Sequence, residues 1–159
     1  MQESPAELLT RLFQVAIDAA HPASCLPQHL PAPPASEGRL IILAAGKAGG
    51  SMAEVAEQHY CGSLGIDPQR LAGIAVARRG YGRPTRCIRM VEAGHPLPDA
   101  AGIEAAERAL AFADMAGAHD LVLVLLSGGA SANWIAPAAG LTLAEKQAAP
   151  RALLRCGAS

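Results

Sequence analysis

Aromatic residues are scarce in this sequence, which contains two Phe, two Tyr and one Trp among 159 residues. The core must therefore be built from aliphatic side chains, and the many alanines favour close packing of helices on a sheet. Because 51% of the residues are hydrophobic, the composition indicates a globular chain and excludes general disorder. The length is that of a single domain with a core of its own.

The sequence also lacks an excess of charge, since 13 basic side chains stand against 14 acidic ones and the net charge is −1. We therefore expect neither nucleic acid nor an anionic membrane as a partner. The longest aliphatic run covers residues 121–126 and is far shorter than the roughly 20 residues that span a bilayer. The first residues have no basic and apolar signal segment, so the expected location is the cytoplasm.

Cysteine and histidine patterns typical of metal or disulfide scaffolds are missing as well. The four cysteines form no CxxC pair, and the histidines form no HxH or HxxxH pattern. We therefore expect reduced thiols and no dedicated metal site.

Strand-like and helix-like segments alternate along the chain. Strands are predicted over residues 39–45, 71–77, 87–92 and 121–126. Gly73 weakens the second prediction, and the last segment has the clearest pattern of a buried strand. Helices are predicted over residues 48–60 and 100–115, and Leu110 is expected to face inward from the second of these. Two more helices are predicted to begin after the N-cap residues Ser4 and Thr142. This alternation predicts an α/β fold, a doubly wound, mostly parallel, Rossmann-like sheet with helices on both faces.

The first candidate site is Gly46-Lys47-Ala48, at the end of the strand predicted over residues 39–45. Glycine permits a tight turn, a helix start presents free amides, and the lysine adds a full charge, a combination suited to phosphate or carboxylate. The spacing is neither GxxxxGK[ST] nor GxGxxG. An ordinary strand-to-helix turn with a solvated lysine is the alternative.

The second candidate is Ser127-Gly128-Gly129-Ala130-Ser131, which also follows a strand directly. Paired glycines with flanking hydroxyls can form a nest of backbone N–H groups for an anion, or simply a tight turn. Because parallel strands bring their carboxyl ends to one edge, this loop and the Lys47 turn are expected at the same edge. A serine nucleophile is not indicated, since Gly-x-Ser-x-Gly is absent.

Two further loops contain candidate side chains. His95 lies in a stiff segment between Gly94 and Pro96. It is interpreted either as a substrate contact or as a structural histidine that is bonded to a backbone carbonyl. Asp99 is interpreted as a helix cap, with a base or a metal ligand as the alternatives. The loop over residues 78–83 is basic, and its arginines can clamp an anion or remain solvated.

In this order, residues 45–48, 79–82, 92–102, 121–131 and 140–147 resemble the N-terminal part of the glycerate 2-kinase family, the MOFRL-associated type often labelled hydroxypyruvate reductase. The segments EAGHPLPDAAG and LSGGASA are the specific ones, and the resemblance covers nearly the whole chain. It implies phosphorylation of D-glycerate to 2-phosphoglycerate with ATP and Mg²⁺. Lys47 matches the active-site lysine of that family.

The resemblance also implies that residues 1–159 are the N-terminal part of the family's kinase domain and that the C-terminal domain is absent, because family members are much longer. We therefore expect an incomplete domain and association, such as a homodimer, through exposed apolar surface. Lys47 is the expected catalytic residue. The expected substrate or phosphate contacts are Gly46, Ser127, Gly128, Gly129, Ser131, His95 and Arg79.

Two other functions stay open. One is hydroxypyruvate reduction with NAD(P)H, for which the sequence has no nicotinamide fingerprint; the other is a non-catalytic remnant that binds an anion. Three departures from the family pattern bear on the site. Ala130 replaces a third glycine, Asn133-Trp134 replaces an aliphatic pair, and Arg78-Arg79 replaces a Thr/Arg-Tyr pattern.

Overall fold

The computed structural model describes residues 3–157 and contains one four-stranded sheet with the order β3-β2-β1-β4. Every neighbouring pair of strands is parallel. The strands are β1 (Leu40–Ala45), β2 (Leu71–Arg78), β3 (Ile88–Ala93) and β4 (Leu121–Leu126). The predicted parallel α/β fold is confirmed, and the predicted strand bounds differ from the observed ones by at most one residue at either end.

The helices include both capped ones that the sequence predicts. Ser4 with Glu7 and Thr142 with Glu145 form complete capping boxes, and Asp99 accepts a hydrogen bond from the Gly102 N–H. None of the helices in residues 3–157 has the length and apolarity needed to cross a membrane. The helices are α1 (Pro5–Ala20), α2 (Pro22–Cys25), α3 (Gly49–Glu57), α4 (Ala100–Asp114), α5 (Ala130–Asn133) and α6 (Leu143–Cys156).

Helices α3 and α4 cover opposite faces of the sheet. Alternate β1 residues pack against α3 on one face and against α4 on the other, so all six residues of β1 are buried. The residues that face the sheet from both helices are mainly alanine, and Ala53 and Ala105 are among those that are fully buried. Small side chains let the helices approach closely, and the sheet is doubly wound as predicted.

Gly73 lies in the middle of β2, paired with Ile42 of β1. A β-carbon at position 73 would overlap the carbonyl oxygen of Ile42, and the φ angle of Gly73 is +153°. The residue that weakens the strand pattern in the sequence is therefore required by the close approach of the two strands.

The expectation that residues 121–126 form a clearly buried strand is wrong, because β4 is only partly buried. It lies at an edge of the sheet, and Val124 and Leu126 are 48% and 60% exposed. Within residues 3–157 no strand pairs with its outer side. An apolar run predicts burial on both faces, but only the order of the strands decides which strand has two neighbours.

Two helices also expose apolar side chains. Leu110 of α4 points outward and is 57% exposed, contrary to the expectation for that residue. All residues of α1 are exposed, although Leu9, Leu12 and Phe13 belong to a continuous apolar face. The expected association through exposed apolar surface stays a prediction, and these are the surfaces that it concerns.

The sheet reverses its strand order at β1. The chain proceeds from β1 to β2 and β3 on one side, and α4 then crosses the sheet so that β4 joins β1 on the other side. In open parallel sheets the carboxyl ends of strands at such a reversal diverge and leave a crevice for ligands. The loops after β1 and β4 are the two that the sequence indicates as anion sites.

Candidate functional site

Hydrogen bonds join the loop after β1 to the loop after β4. The Lys47 N–H donates to the Gly128 carbonyl at 2.9 Å, and the Ser127 N–H donates to the Ala45 carbonyl at 3.0 Å. The Ala48 N–H donates to Ser127 Oγ at 2.9 Å. The backbone that presents Lys47 is therefore held in place by the neighbouring loop.

The Ser127 hydroxyl is fully engaged in this junction. It accepts from the Ala48 N–H and donates to the Ala45 carbonyl at 3.3 Å. Gly46 has a φ angle of +105°, and a β-carbon there would overlap the Ser127 backbone. Gly46 and Ser127 thus shape the turn below Lys47, and their expected contact with an anion stays a prediction.

Gly129 is the point where Lys47 and His95 meet. A β-carbon on Gly129 would lie 2.7 Å from His95 Nε2 and 3.3 Å from Lys47 Cγ, and its φ angle is +90°. Any side chain at position 129 would both strain the backbone and collide with these two groups. The fold therefore brings together three of the predicted site residues from three different loops.

The glycine-rich loop also presents backbone donors. In the described part of the chain, the N–H groups of Gly128, Gly129 and Ser131 donate to no protein acceptor. A β-carbon on Gly128 would find open space around it. Free amide hydrogens beside a lysine ammonium form a surface suited to a phosphate or carboxylate.

The environment of His95 favours its neutral form. Burial lowers the pKa of His95, and the positive charges of Lys47 and Arg78 lower it further. An uncharged imidazole offers one donor and one acceptor nitrogen, so it can accept a hydrogen bond from a substrate hydroxyl.

We expect the pKa of His95 to lie below the ordinary histidine value of about 6.5 and to rise when Lys47 is replaced by methionine. The reason is that protonated His95 is repelled by the lysine ammonium. An NMR titration of the imidazole C–H signals measures both values. Lys146→Met, at the exposed lysine of α6, is the control that leaves the pKa unchanged; equal titration of His95 in wild type and Lys47→Met would contradict the assigned contact.

Arg79 forms an ion pair with Asp99, and its expected contact with an anion stays a prediction. Its Nη2 lies 2.6 Å from Asp99 Oδ2, and its side chain is 67% exposed. Although burial opposes ionisation, hydrogen bonds from the Gly94 N–H, Arg79 and the Gly102 N–H keep the pKa of Asp99 below its ordinary value. Asp99 therefore caps α4 and neutralises Arg79.

Arg78, one of the arginines of the basic loop over residues 78–83, lies near His95. Its guanidinium carbon lies 3.5 Å from the centre of the Tyr81 ring. Together with His95 it lines a cavity of about 430 Å³. Arg79 lines the same cavity but is paired with Asp99, and nothing in the sequence indicates this difference between the two arginines.

A larger cavity, of about 850 Å³, lies at the opposite end of the sheet, near the end of α3 and the start of β3. Its lining includes His59, Cys61 and Cys87 but none of the predicted site residues. The crevice at Lys47 is the better candidate, since it combines a lysine, free amides and the strand-order reversal.

The departure at position 130 fits the local structure, whereas Asn133-Trp134 leaves two buried polar atoms, Asn133 Oδ1 and Trp134 Nε1, without a hydrogen-bond partner. Ala130 begins α5, and no residue other than glycine has a positive φ angle in residues 3–157, so its methyl group causes no backbone strain. Asn133 is fully buried, and its side-chain nitrogen lies 3.5 Å from the Gly46 carbonyl oxygen. The glycine-rich loop therefore has a second connection to the Lys47 turn.

Comparisons with known proteins agree with this arrangement. Residues 8–159 match a family described as a domain of unknown function, DUF4147. The chain is 36% identical over 156 residues to an Agrobacterium vitis protein with the provisional name hydroxypyruvate reductase, an alignment that covers 98% of this chain and 34% of the relative. It is 34% identical over 158 residues to the D-glycerate 2-kinase of Thermotoga maritima, with 99% of this chain and 36% of the relative covered.

A solved structure supports the same relationship. The glycerate kinase of Thermotoga maritima superposes with a TM-score of 0.73 at 32% identity, covering 96% of this chain and 35% of that protein. The chain thus spans about a third of the length of the relatives that it matches.

Proposed function

Because the chain belongs to the DUF4147 domain family, we propose that it contributes the anion-binding part of a glycerate 2-kinase. The reaction is the transfer of a phosphoryl group from ATP to D-glycerate, with 2-phosphoglycerate as the product. Relatives named glycerate 2-kinase support this assignment. Residues 1–159 would then be the N-terminal part of the kinase domain, and the C-terminal domain lies outside this chain.

One observation supports the proposal most strongly: Lys47, His95 and the free amides around Gly129 converge at the reversal of strand order. Phosphoryl transfer depends mainly on positioning and on neutralising charge at the transferred group. The Lys47 ammonium would neutralise that charge, and the N–H groups of Gly128, Gly129 and Ser131 would hold phosphoryl oxygens. Neutral His95 would accept a hydrogen bond from the glycerate hydroxyl.

The described residues show no ready-made site for Mg²⁺, the metal that the family resemblance implies with ATP. Residues 3–157 contain no group of three or more His, Cys, Asp or Glu able to hold a metal ion. The nearby carboxylates are engaged, Asp99 by Arg79 and Glu92 by the Gly82 N–H at 2.9 Å. We therefore assign no residue of this chain to the metal. Use of ATP favours a cytoplasmic location.

Hydroxypyruvate reduction is the second candidate, because relatives from Agrobacterium vitis have that provisional name. The reaction requires NAD(P)H, and the turn after β1 lacks the glycine spacing of a dinucleotide fold. Loss of absorbance at the NADH band with hydroxypyruvate would favour this candidate over the kinase.

The kinase proposal predicts that 2-phosphoglycerate forms from ATP and D-glycerate when the chain is combined with the remaining two thirds of the Thermotoga D-glycerate 2-kinase, but not with the chain alone. The physical reason is that a half-site cannot enclose ATP and exclude water. Phosphorus NMR measures the product, and calorimetry on the chain alone measures ATP and D-glycerate binding. Absence of binding for both ligands would contradict the proposal and favour a non-catalytic remnant.

A further inference from the structure

Arg78 has a fixed guanidinium at the carboxyl end of β2. The group stacks on the Tyr81 ring at 3.5 Å, and the Tyr81 N–H donates to the Arg78 carbonyl at 3.0 Å. Cation–π stacking and this turn hold the planar group in one orientation. A guanidinium that is already oriented loses little entropy when it binds a planar anion.

The acidic side chains near Arg78 are committed to other partners. Asp99 pairs with Arg79 at 2.6 Å, and Glu92 accepts from the Gly82 N–H. Among residues 3–157, Arg78 takes part in none of the salt bridges. A half-buried guanidinium that forms no salt bridge within residues 3–157, beside carboxylates that already accept hydrogen bonds from other groups, is suited to an anion from outside the chain.

The cavity beside Arg78 connects it with the Lys47 site through His95. Arg78 and Arg79 both line this space of about 430 Å³, as does His95. The Arg79 guanidinium is paired with Asp99, whereas Arg78 takes part in none of the salt bridges of residues 3–157. His95 also contacts the Gly129 turn, where Lys47 lies. A small molecule in the cavity can therefore contact both Arg78 and His95.

We propose that Arg78 binds the carboxylate of the acceptor, a small hydroxy acid, so that the acid's hydroxyl points towards His95 and Lys47. The assignment rests on the proposed kinase function. Carboxylate is favoured over phosphate because the phosphoryl group has its own donors in Lys47 and the glycine-rich loop, which belong to other strands. The planar fork of a guanidinium matches the two oxygens of a carboxylate.

The test measures ligand binding to the whole 159-residue chain by calorimetry. Arg78→Met is expected to weaken D-glycerate binding by about tenfold or more, the loss typical of a charge-assisted hydrogen bond. Arg78→Lys keeps the charge but not the fork, so its loss is smaller. Glycerol, which lacks the carboxylate, should bind weakly and equally to all variants, and the ATP affinity should not change.

Arg89→Met, which removes an exposed arginine at the start of β3, is the matched control with unchanged D-glycerate binding. Thermal unfolding of each variant shows whether the fold is retained. Unchanged D-glycerate binding in Arg78→Met, or a loss of ATP affinity in its place, overturns the role of Arg78 while the kinase proposal stands. A wild-type chain that binds ATP but not D-glycerate also overturns the role of Arg78. A wild-type chain that binds neither ligand overturns both the role of Arg78 and the kinase proposal.

Discussion

Replacing Lys47 with methionine is expected to lower the rate of phosphoryl transfer by about a thousandfold. This is the size of loss seen when a group that stabilises charge on the transferred phosphoryl group is removed. The lysine follows Gly46 directly, and its backbone N–H is bonded to the Gly128 carbonyl at 2.9 Å. Because the surrounding turn is held by backbone bonds, loss of the ammonium should leave the fold intact. The rate is measured with ATP and D-glycerate after the chain is combined with the remaining two thirds of the Thermotoga D-glycerate 2-kinase.

Lys146→Met provides the control, since Lys146 is the only other lysine of the chain and is exposed on α6. It should retain the full rate. Lys47→Arg should recover part of the activity, because it restores the charge with a different shape. An undiminished rate in Lys47→Met would remove Lys47 from the site.

Replacing Gly73 with alanine is expected to lower the free energy of unfolding by about 3 kcal/mol or more, a large share of the 5–15 kcal/mol typical of a domain. The added methyl group would overlap the Ile42 carbonyl oxygen, and the backbone of β1 is buried on both sides of that residue. The two central strands would have to separate. Urea unfolding followed by circular dichroism measures the change.

Gly117→Ala is the matched control in the loop after α4. A β-carbon at position 117 would lie 3.8 Å from the nearest atom, Asp120 Oδ2, at an ordinary contact distance. Its effect should stay within about 0.5 kcal/mol. Equal unfolding midpoints for Gly73→Ala and the wild-type chain would show that β1 and β2 can separate without cost.

The local signals in the sequence predicted the elements well. The capping boxes at Ser4 and Thr142 and the cap at Asp99 all form, because a helix start depends on residues within one turn of each other. The paired loops after β1 and β4 were also correctly identified as neighbours, since parallel strands end at a shared edge.

The roles within the site could not be read in the same way. Ser127 has the residue type of an anion contact, yet its hydroxyl is bonded to Ala45 and Ala48. Arg79 has the charge of an anion clamp, yet Asp99, twenty residues away in the chain, neutralises it. Hydrogen-bond partners of this kind come from other loops, and spacing in the sequence contains no information about them.

The sequence by itself therefore determined the parallel α/β class, the alanine-lined helices and the pairing of Lys47 with a glycine-rich loop, because periodicity and capping act over a few residues. Only the tertiary structure decided that β4 is a half-exposed edge, that Gly73 must be glycine and that Arg79 rather than Arg78 is paired with Asp99. Each of these depends on which strand lies next to which. That order results from the crossing of α4 over the sheet, which joins residues far apart in the chain.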